Sequence, residues 1–157
     1  MDEAFIEERL SDLGLTLPPA PAAVAAYVPV RIAGGTAYVA GQIPMVDGAV
    51  LHPGRVGDTV SVDEAAEAAA RAALQALSAL HAALGGFGRL RGIAQVGVYV
   101  AATPTFTEHA KVGNGASELL VHAMGDAGRH ARAAVGMASL PLGASVEVAV
   151  IAEIEPV

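Results

Sequence analysis

Two ionisable residues near the end of the sequence interrupt segments that are otherwise small and apolar. Arg132 and Glu147 stand in these two segments, and a Leu-Pro-Leu-Gly turn at 140–143 separates them. Arg and Glu are rarely buried unless they pair or face a ligand, because an unpaired ion loses its hydration. The turn predicts a hairpin-like element whose two strands lie side by side, with both charges close together.

The residue pattern leaves two interpretations of this pair open. Arg132 and Glu147 could form a cross-strand salt bridge, which is ordinary sheet chemistry. Alternatively, the guanidinium could hold a substrate carboxylate in two parallel hydrogen bonds, with the glutamate beside a water molecule. The pattern alone does not choose between a structural pair and a binding site.

Other common chemistries lack their motifs in this sequence. It has no Gly-x-x-x-x-Gly-Lys-Ser/Thr loop, no dinucleotide fingerprint and no Gly-x-Ser-x-Gly elbow. It has no cysteine, and its five histidines lack zinc-site spacing, so we expect no metal site. Glu118 and His122 lie four residues apart and predict a surface ion pair. Arg129 and His130 read either as a solvated loop end or as an extension of the pocket.

The elements that must position these residues follow from periodicity and turn signals. In chain order the patterns predict a helix over residues 2–13, strands over 27–32 and 36–40, a loop over 41–59, a helix over 62–84, a strand over 93–100, a helix over 114–124 and two final strands. Ser61 and Glu64 form a capping box at the start of the long helix. Proline-rich residues near position 20 predict an extended connection after the first helix.

Composition narrows the class of protein and its partners. A chain of 157 residues favours one domain, and 54% hydrophobic against 16% charged residues suggests surface hidden by self-association. The net charge of -7 and the lack of a basic run argue against nucleic acid as a partner. With no signal-peptide pattern and no run of about 18 apolar residues, we expect no membrane association and a cytoplasmic location.

Four short segments carry a resemblance to a known family. The chain resembles the RidA/YjgF family of reactive-intermediate (enamine/imine) deaminases in the segments 40–44, 131–135, 140–141 and 146–148, together with the earlier Tyr27 and Val28. The match runs in the family's order from about Tyr27 to Ile154. The resemblance implies an α+β, chorismate-mutase-like fold with a mixed sheet and two helices on one face. It also implies a homotrimer around a barrel of sheets, with sites at the subunit boundaries. One domain would span 1–157, with 1–26 as an N-terminal arm and 27–157 as the core.

The same resemblance implies an activity and a set of site residues. The family hydrolyses 2-aminoacrylate and 2-iminopropanoate to 2-oxo acids and ammonia without a cofactor. By position, Arg132 matches the arginine that grips the substrate carboxylate, and Glu147 matches the acid that orients water. The matching substrate-binding positions are Tyr27, Gly41, Asn114 and Ala134.

The chain also departs from the family pattern. Ala40 stands where members commonly have Ser, and Ala134 where they have Cys. These losses of polar lining keep a second hypothesis open, a non-catalytic trimeric binder of small 2-oxo acids or a regulator of a partner enzyme. A ribonuclease role, also attached to this family, fits poorly with the acidic composition.

Overall fold

A mixed sheet with two long helices on one face makes up most of the molecule, as the resemblance implied. The computed structural model describes residues 1–22 and 26–156. The elements are α1 (Glu3–Ser11), β1 (Val30–Ala33), β2 (Thr36–Gln42), β3 (Met45–Val46), β4 (Ala49–Val50), α2 (Val62–Leu84), β5 (Leu90–Ala101), α3 (His109–Met124), β6 (Ala131–Met137) and β7 (Val146–Ile154). Short 3₁₀ turns at Gly125–Gly128 and Pro141–Gly143 precede β6 and β7. None of the helices within the described ranges is long and apolar enough to cross a membrane.

The strand order shows that the predicted hairpin is wrong. The five-stranded sheet runs β1-β2-β7-β5-β6, so β5 lies between the two strands that carry Arg132 and Glu147. β6 pairs parallel with β5 at one edge of the sheet, and β7 pairs antiparallel with both β2 and β5. Alternation along a strand encodes which face each side chain occupies, but it does not encode which strand is the neighbour.

The helix α2 follows the sequence prediction over its whole length. Ser61 and Glu64 form the capping box, and Gly85 ends the helix in a left-handed conformation. Leu74, Leu77 and Leu80 of its predicted apolar stripe are buried in the core. Most of the length of α2 therefore presents an apolar face that covers the sheet.

The helix α3 begins at His109, earlier than the predicted start at Asn114. Gly113 and Gly115 weaken helical propensity by about 1 kcal/mol each, which is why the sequence predicted a later start. Tertiary packing overrides that propensity, because a Cβ at Gly115 would overlap the carbonyl oxygen of Ala66 on α2. The two helices can approach each other this closely only where α3 has no side chain.

The arm and the loop that follows β2 both contain structure that pattern reading did not fully predict. The arm helix α1 is confirmed, with Ile6 and Leu10 buried. The predicted loop at 41–59 contains the hairpin β3–β4, whose turn residues Asp47 and Gly48 both have positive φ.

The predicted surface ion pair between Glu118 and His122 is wrong. His122 instead forms a hydrogen bond to the carbonyl of Arg9 at 2.8 Å, and among the described residues it forms no ion pair with Glu118.

Candidate active site

The Arg132 side chain projects from β6 onto α3. Arg132 is in register with Val96 of β5, which is fully buried under the helices, so the two side chains share the helix-covered face. Its Nη1 donates to Asn114 Oδ1 and to Ser117 Oγ, both at 3.0 Å, and Nη2 donates to the Ala110 carbonyl at 3.2 Å. Two successive turns of α3 therefore fix the plane of the guanidinium.

Two of the Arg132 donors stay available for a ligand. A guanidinium has five N–H groups, and the contacts on α3 use three of them. The Nε–H and one Nη2–H find no acceptor in the described part of the chain, nor does any carboxylate there form an ion pair with Arg132. Two donors on one planar group match what a carboxylate accepts in a bidentate pair. The charge that the sequence singled out is therefore free of an acidic partner.

Two small residues leave room around this guanidinium. A Cβ at Gly113 would lie 3.1 Å from Arg132 Cζ, so the glycine lets the guanidinium lie flat against the helix. Ala134 lies two residues beyond Arg132 on the same face of β6, in register with the buried Val98, and is partly buried against the core. Ala134 therefore lies on the same strand face as Arg132, and its role in binding a substrate stays a prediction.

Glu147 lies on the opposite face of the sheet. Its neighbours Val146 and Val148 are fully buried under the helices, so alternation along β7 directs Glu147 to the uncovered face. A Cβ at Gly41 would overlap the Glu147 carboxylate, which shows that the two residues are in direct contact. Partial burial raises the pKa of the Glu147 carboxyl above its ordinary value, because desolvation disfavours the charged form.

Tyr27 lies near Gly41 but outside the strand predicted for it. The strand β1 begins at Val30, because Pro29 has no N–H for a ladder hydrogen bond. Tyr27 is 48% exposed and lines, with Gly41, Gln75 and Leu142, a cavity of about 240 Å³. Tyr27 and Gly41 therefore border one cavity, and Gly41 also contacts Glu147.

The six predicted site residues thus form two separate groups. The arginine half-site comprises the predicted Arg132, Asn114 and Ala134 together with Ser117, which was not predicted. The glutamate half-site comprises Glu147, Gly41 and Tyr27. Arg132 is in register with Val96 and Glu147 with Tyr99, so two strand spacings and three residues separate them, about 10 Å in each direction. Because they also lie on opposite faces, Arg132 and Glu147 form no cross-strand salt bridge, which was one of the two interpretations that the sequence left open.

Sequence reasoning missed Ser117 and left His130 undecided. Ser117 lies one helical turn after Asn114, so both side chains share a face of α3. This spacing was readable in the sequence, but the late predicted start of the helix put Asn114 at its fraying end. His130 is bonded to Ser117 at 2.9 Å. Within the described ranges, no three His, Asp or Glu side chains cluster in a way that could hold a metal ion.

Comparison with known proteins gives a consistent family. A family model described as "YjgF/chorismate_mutase-like, putative endoribonuclease" matches residues 7–154. The chain is 40% identical over 150 residues to Protein TCP17 of Trypanosoma cruzi, covering 95% of this chain and 94% of that protein. Nearly the whole chain, including part of the arm, therefore falls within the family match.

Solved structures show the same relationship. Protein Atu1372 of Agrobacterium tumefaciens, a protein of unknown function, is 46% identical with a TM-score of 0.92, over 98% of this chain and 94% of that one. RidA from an Antarctic Psychrobacter is 27% identical with a TM-score of 0.57, over 86% of this chain and 94% of that one. The fold of the chain is thus nearer to that of Atu1372 than to that of this RidA.

Proposed function

The chain belongs to the RidA/YjgF family, and on that premise we propose that it hydrolyses small 2-imino acids or their enamines to 2-oxo acids and ammonia. One observation carries the proposal: Arg132 is held by three acceptors on α3 and keeps two donors free. A substrate of this class carries a carboxylate that fits those donors. The predicted catalytic residues are Arg132 and Glu147.

The chemistry asks for positioning and a proton carrier. Water oxygen bonds to the electrophilic imine carbon while the Glu147 carboxylate carries one water proton to the imine nitrogen, which gives a carbinolamine. Glu147 then carries the hydroxyl proton to the same nitrogen, the C–N bond breaks, and ammonia leaves as the carbonyl forms. Burial raises the pKa of the Glu147 carboxyl, which makes its anion a stronger base. Arg132 holds the carboxylate throughout, and correct orientation is itself worth several kcal/mol.

The complete site is proposed to form between two copies of the chain. The two half-sites lie on opposite faces of one sheet, so one copy would supply Arg132 and a second copy Glu147, Gly41 and Tyr27. β6 is a sheet edge, and Val135 and Met137 on it are 44% and 38% exposed, which supports association along this strand. The family resemblance predicts a homotrimer.

The test is loss of the imine. A serine dehydratase supplies 2-iminopropanoate, and we expect the chain to accelerate its disappearance over buffer. Arg132→Ala should abolish the acceleration without changing the oligomer. Arg129→Ala is the matched control, because Arg129 bonds Asp126 at 3.1 Å and is largely exposed. No acceleration by the unmodified chain would overturn the proposal.

The second candidate is a non-catalytic binder of 2-oxo acids. Two observations favour it. Binding a carboxylate needs only the free Arg132 donors and no catalytic base, and Ala40 and Ala134 replace polar residues of the family pattern. Calorimetric binding of pyruvate that depends on Arg132, together with no imine hydrolysis, would support the binder. Cleavage of RNA in the absence of both would support the endoribonuclease activity named in the family description.

A further inference from the structure

A chain of three hydrogen bonds connects a backbone carbonyl to the Arg132 guanidinium. His130 Nδ1 lies 2.6 Å from the carbonyl oxygen of Gly128, and His130 Nε2 lies 2.9 Å from Ser117 Oγ. The same Ser117 oxygen accepts from Arg132 Nη1 at 3.0 Å. The proposed mechanism assigns no role to His130.

When the His130 imidazole is neutral, the carbonyl at one end determines the direction of all three hydrogen bonds. A carbonyl oxygen only accepts, so His130 Nδ1 carries the hydrogen. In a neutral imidazole Nε2 is then an acceptor, and the Ser117 hydroxyl must donate to it. The Ser117 hydrogen therefore points away from Arg132, and a lone pair of its oxygen faces the Arg132 N–H.

The Gly128 carbonyl, at one end of these hydrogen bonds, belongs to a turn that packs against α3. A Cβ at Gly128 would overlap the carbonyl oxygen of Leu120, so the 3₁₀ turn before β6 packs directly on α3. His130 is itself partly buried. The helix α3 thus holds all three parts of this network: it contains Ser117, it packs against Gly128, and it accepts hydrogen bonds from Arg132.

We propose that His130 is a positioning residue, which holds the Ser117 hydroxyl in the orientation that keeps the Arg132 guanidinium aligned for a carboxylate. If this acceptor is lost, the Ser117 hydroxyl is free to turn its hydrogen toward Arg132. One of three contacts then weakens, and the two free donors lose their fixed direction. The catalytic reading of this role rests on the proposed function, whereas its effect on carboxylate binding does not.

Two substitutions of His130 separate its two hydrogen bonds. A Gln amide reaches about as far as Nε2, so His130→Gln keeps an acceptor for Ser117 and should bind pyruvate within about twofold of the unmodified chain. An Asn amide reaches about as far as Nδ1, so His130→Asn keeps the Gly128 bond and loses Ser117. We expect about fivefold to tenfold weaker pyruvate binding by calorimetry for His130→Asn, the effect of one hydrogen bond.

Three further readouts distinguish positioning from a merely structural role. Ser117→Ala should match His130→Asn, and the double variant should bind no more weakly than Ser117→Ala alone, because the two act in series. In the imine assay of His130→Asn, KM should rise in parallel with the dissociation constant for pyruvate while kcat changes little. The reason is that Arg132 binds the substrate carboxylate equally in the ground state and in the transition state. Arg129→Ala is the control neighbour. Nitrogen-15 spectra of the imidazole should show hydrogen on Nδ1 and none on Nε2.

The failures of this proposal and of the proposed function are distinguishable. Equal binding by His130→Asn and the unmodified chain, or equal loss in the Gln and Asn variants, would overturn the positioning role. A chain that binds pyruvate but hydrolyses no imine would remove the deaminase and leave the role of His130 intact. If pyruvate does not bind at all, hydrogen found on Nε2 would still overturn the hydrogen-bond chain.

Discussion

At the scale of single residues, the fixed orientation of the Arg132 guanidinium is what suits it to bind a carboxylate. Three acceptors from one helix hold it before any ligand arrives, so little side-chain entropy is lost on binding. Its two remaining donors lie on one planar group, which makes it selective for a two-oxygen anion. We therefore expect the proposed site to prefer carboxylates.

Arg132→Lys should therefore weaken carboxylate binding although it preserves the charge. An ammonium cannot reproduce the planar fork or bond Asn114, Ser117 and the Ala110 carbonyl together. We expect pyruvate affinity to fall by about 30-fold, equivalent to about 2 kcal/mol, in calorimetric titration. Affinity within threefold of the unmodified chain would show that charge alone, without the fork, binds the carboxylate.

Glu147→Gln should stabilise the chain in a pH-dependent way. Desolvation raises the pKa of the Glu147 carboxyl above 4.5, so the folded chain holds this proton more tightly than the unfolded chain. The stability that the neutral carboxyl supplies is present below the unfolded pKa and is lost as pH rises through the folded value. Glutamine resembles the neutral carboxyl, so the variant should match the unmodified chain in acid and melt higher at neutral pH.

Thermal melts across this pH range test the Glu147 prediction. Glu153→Gln is the matched control, since it removes the same charge from an exposed position on the same strand. A melting temperature for Glu147→Gln that is unchanged or lower at neutral pH would contradict the raised pKa. The same variant should also lose imine hydrolysis under the proposed mechanism.

At the scale of elements, α3 connects the core to the candidate site. Its Val112, Ala116 and Leu120 are buried in the core, while Asn114 and Ser117 turn toward Arg132. The two glycines of α3 serve different neighbours, since Gly113 faces the guanidinium and Gly115 faces the backbone of α2. The glycines that lower the helical propensity of α3 thus let it pack closely against both Arg132 and α2.

These two glycines should respond differently to alanine. Gly115→Ala would place a Cβ into the Ala66 carbonyl, and we expect a loss of stability above about 2 kcal/mol. Gly113→Ala would gain up to about 1 kcal/mol of helical propensity. Its Cβ would lie 3.1 Å from Arg132 Cζ, so pyruvate binding should weaken while the fold is kept. Urea unfolding and calorimetry measure the two effects, and similar stability losses in both variants would contradict this assignment.

At the scale of the whole molecule, the sheet separates the two half-sites of a single chain. Arg132 lies on the helix-covered face of an edge strand, and Glu147 lies on the uncovered face of the central strand β7. Tyr38, Val135 and Met137 leave substantial apolar area exposed on this molecule. Self-association would cover that area and could bring complementary half-sites together.

Mixing two inactive variants tests this arrangement. Arg132→Ala and Glu147→Ala chains, refolded together in equal amounts, should form some sites with an intact Arg132 from one chain and an intact Glu147 from another. Random assembly restores about one quarter of the sites. We expect about a quarter of the unmodified activity from the mixture and none from either variant refolded alone. No recovery in mixed oligomers would show that one chain supplies both residues.

Much of the architecture could be predicted from the sequence because it depends on local signals. The bounds of α2 follow from Ser61, Glu64 and Gly85, since capping and left-handed termination involve only nearby backbone groups. The arm helix α1 was predicted from the same kind of local signal, whereas the helix-covered sheet was implied by the family resemblance. The candidate residues Arg132 and Glu147 were also identifiable, because charges in apolar strands stand out without any tertiary information.

The tertiary structure alone decided how those residues relate to one another. Alternation assigns side chains to faces. The strand between β6 and β7, however, is β5, which ends at Ala101, well before β6 begins at Ala131, and no local signal records that pairing. Likewise, Gly113 and Gly115 predict a weak helix until the guanidinium and the α2 backbone that fill their space are known. The sequence by itself determined which groups could do chemistry. Only the fold decided that Arg132 faces Asn114 and Ser117 rather than Glu147, because that choice depends on long-range packing.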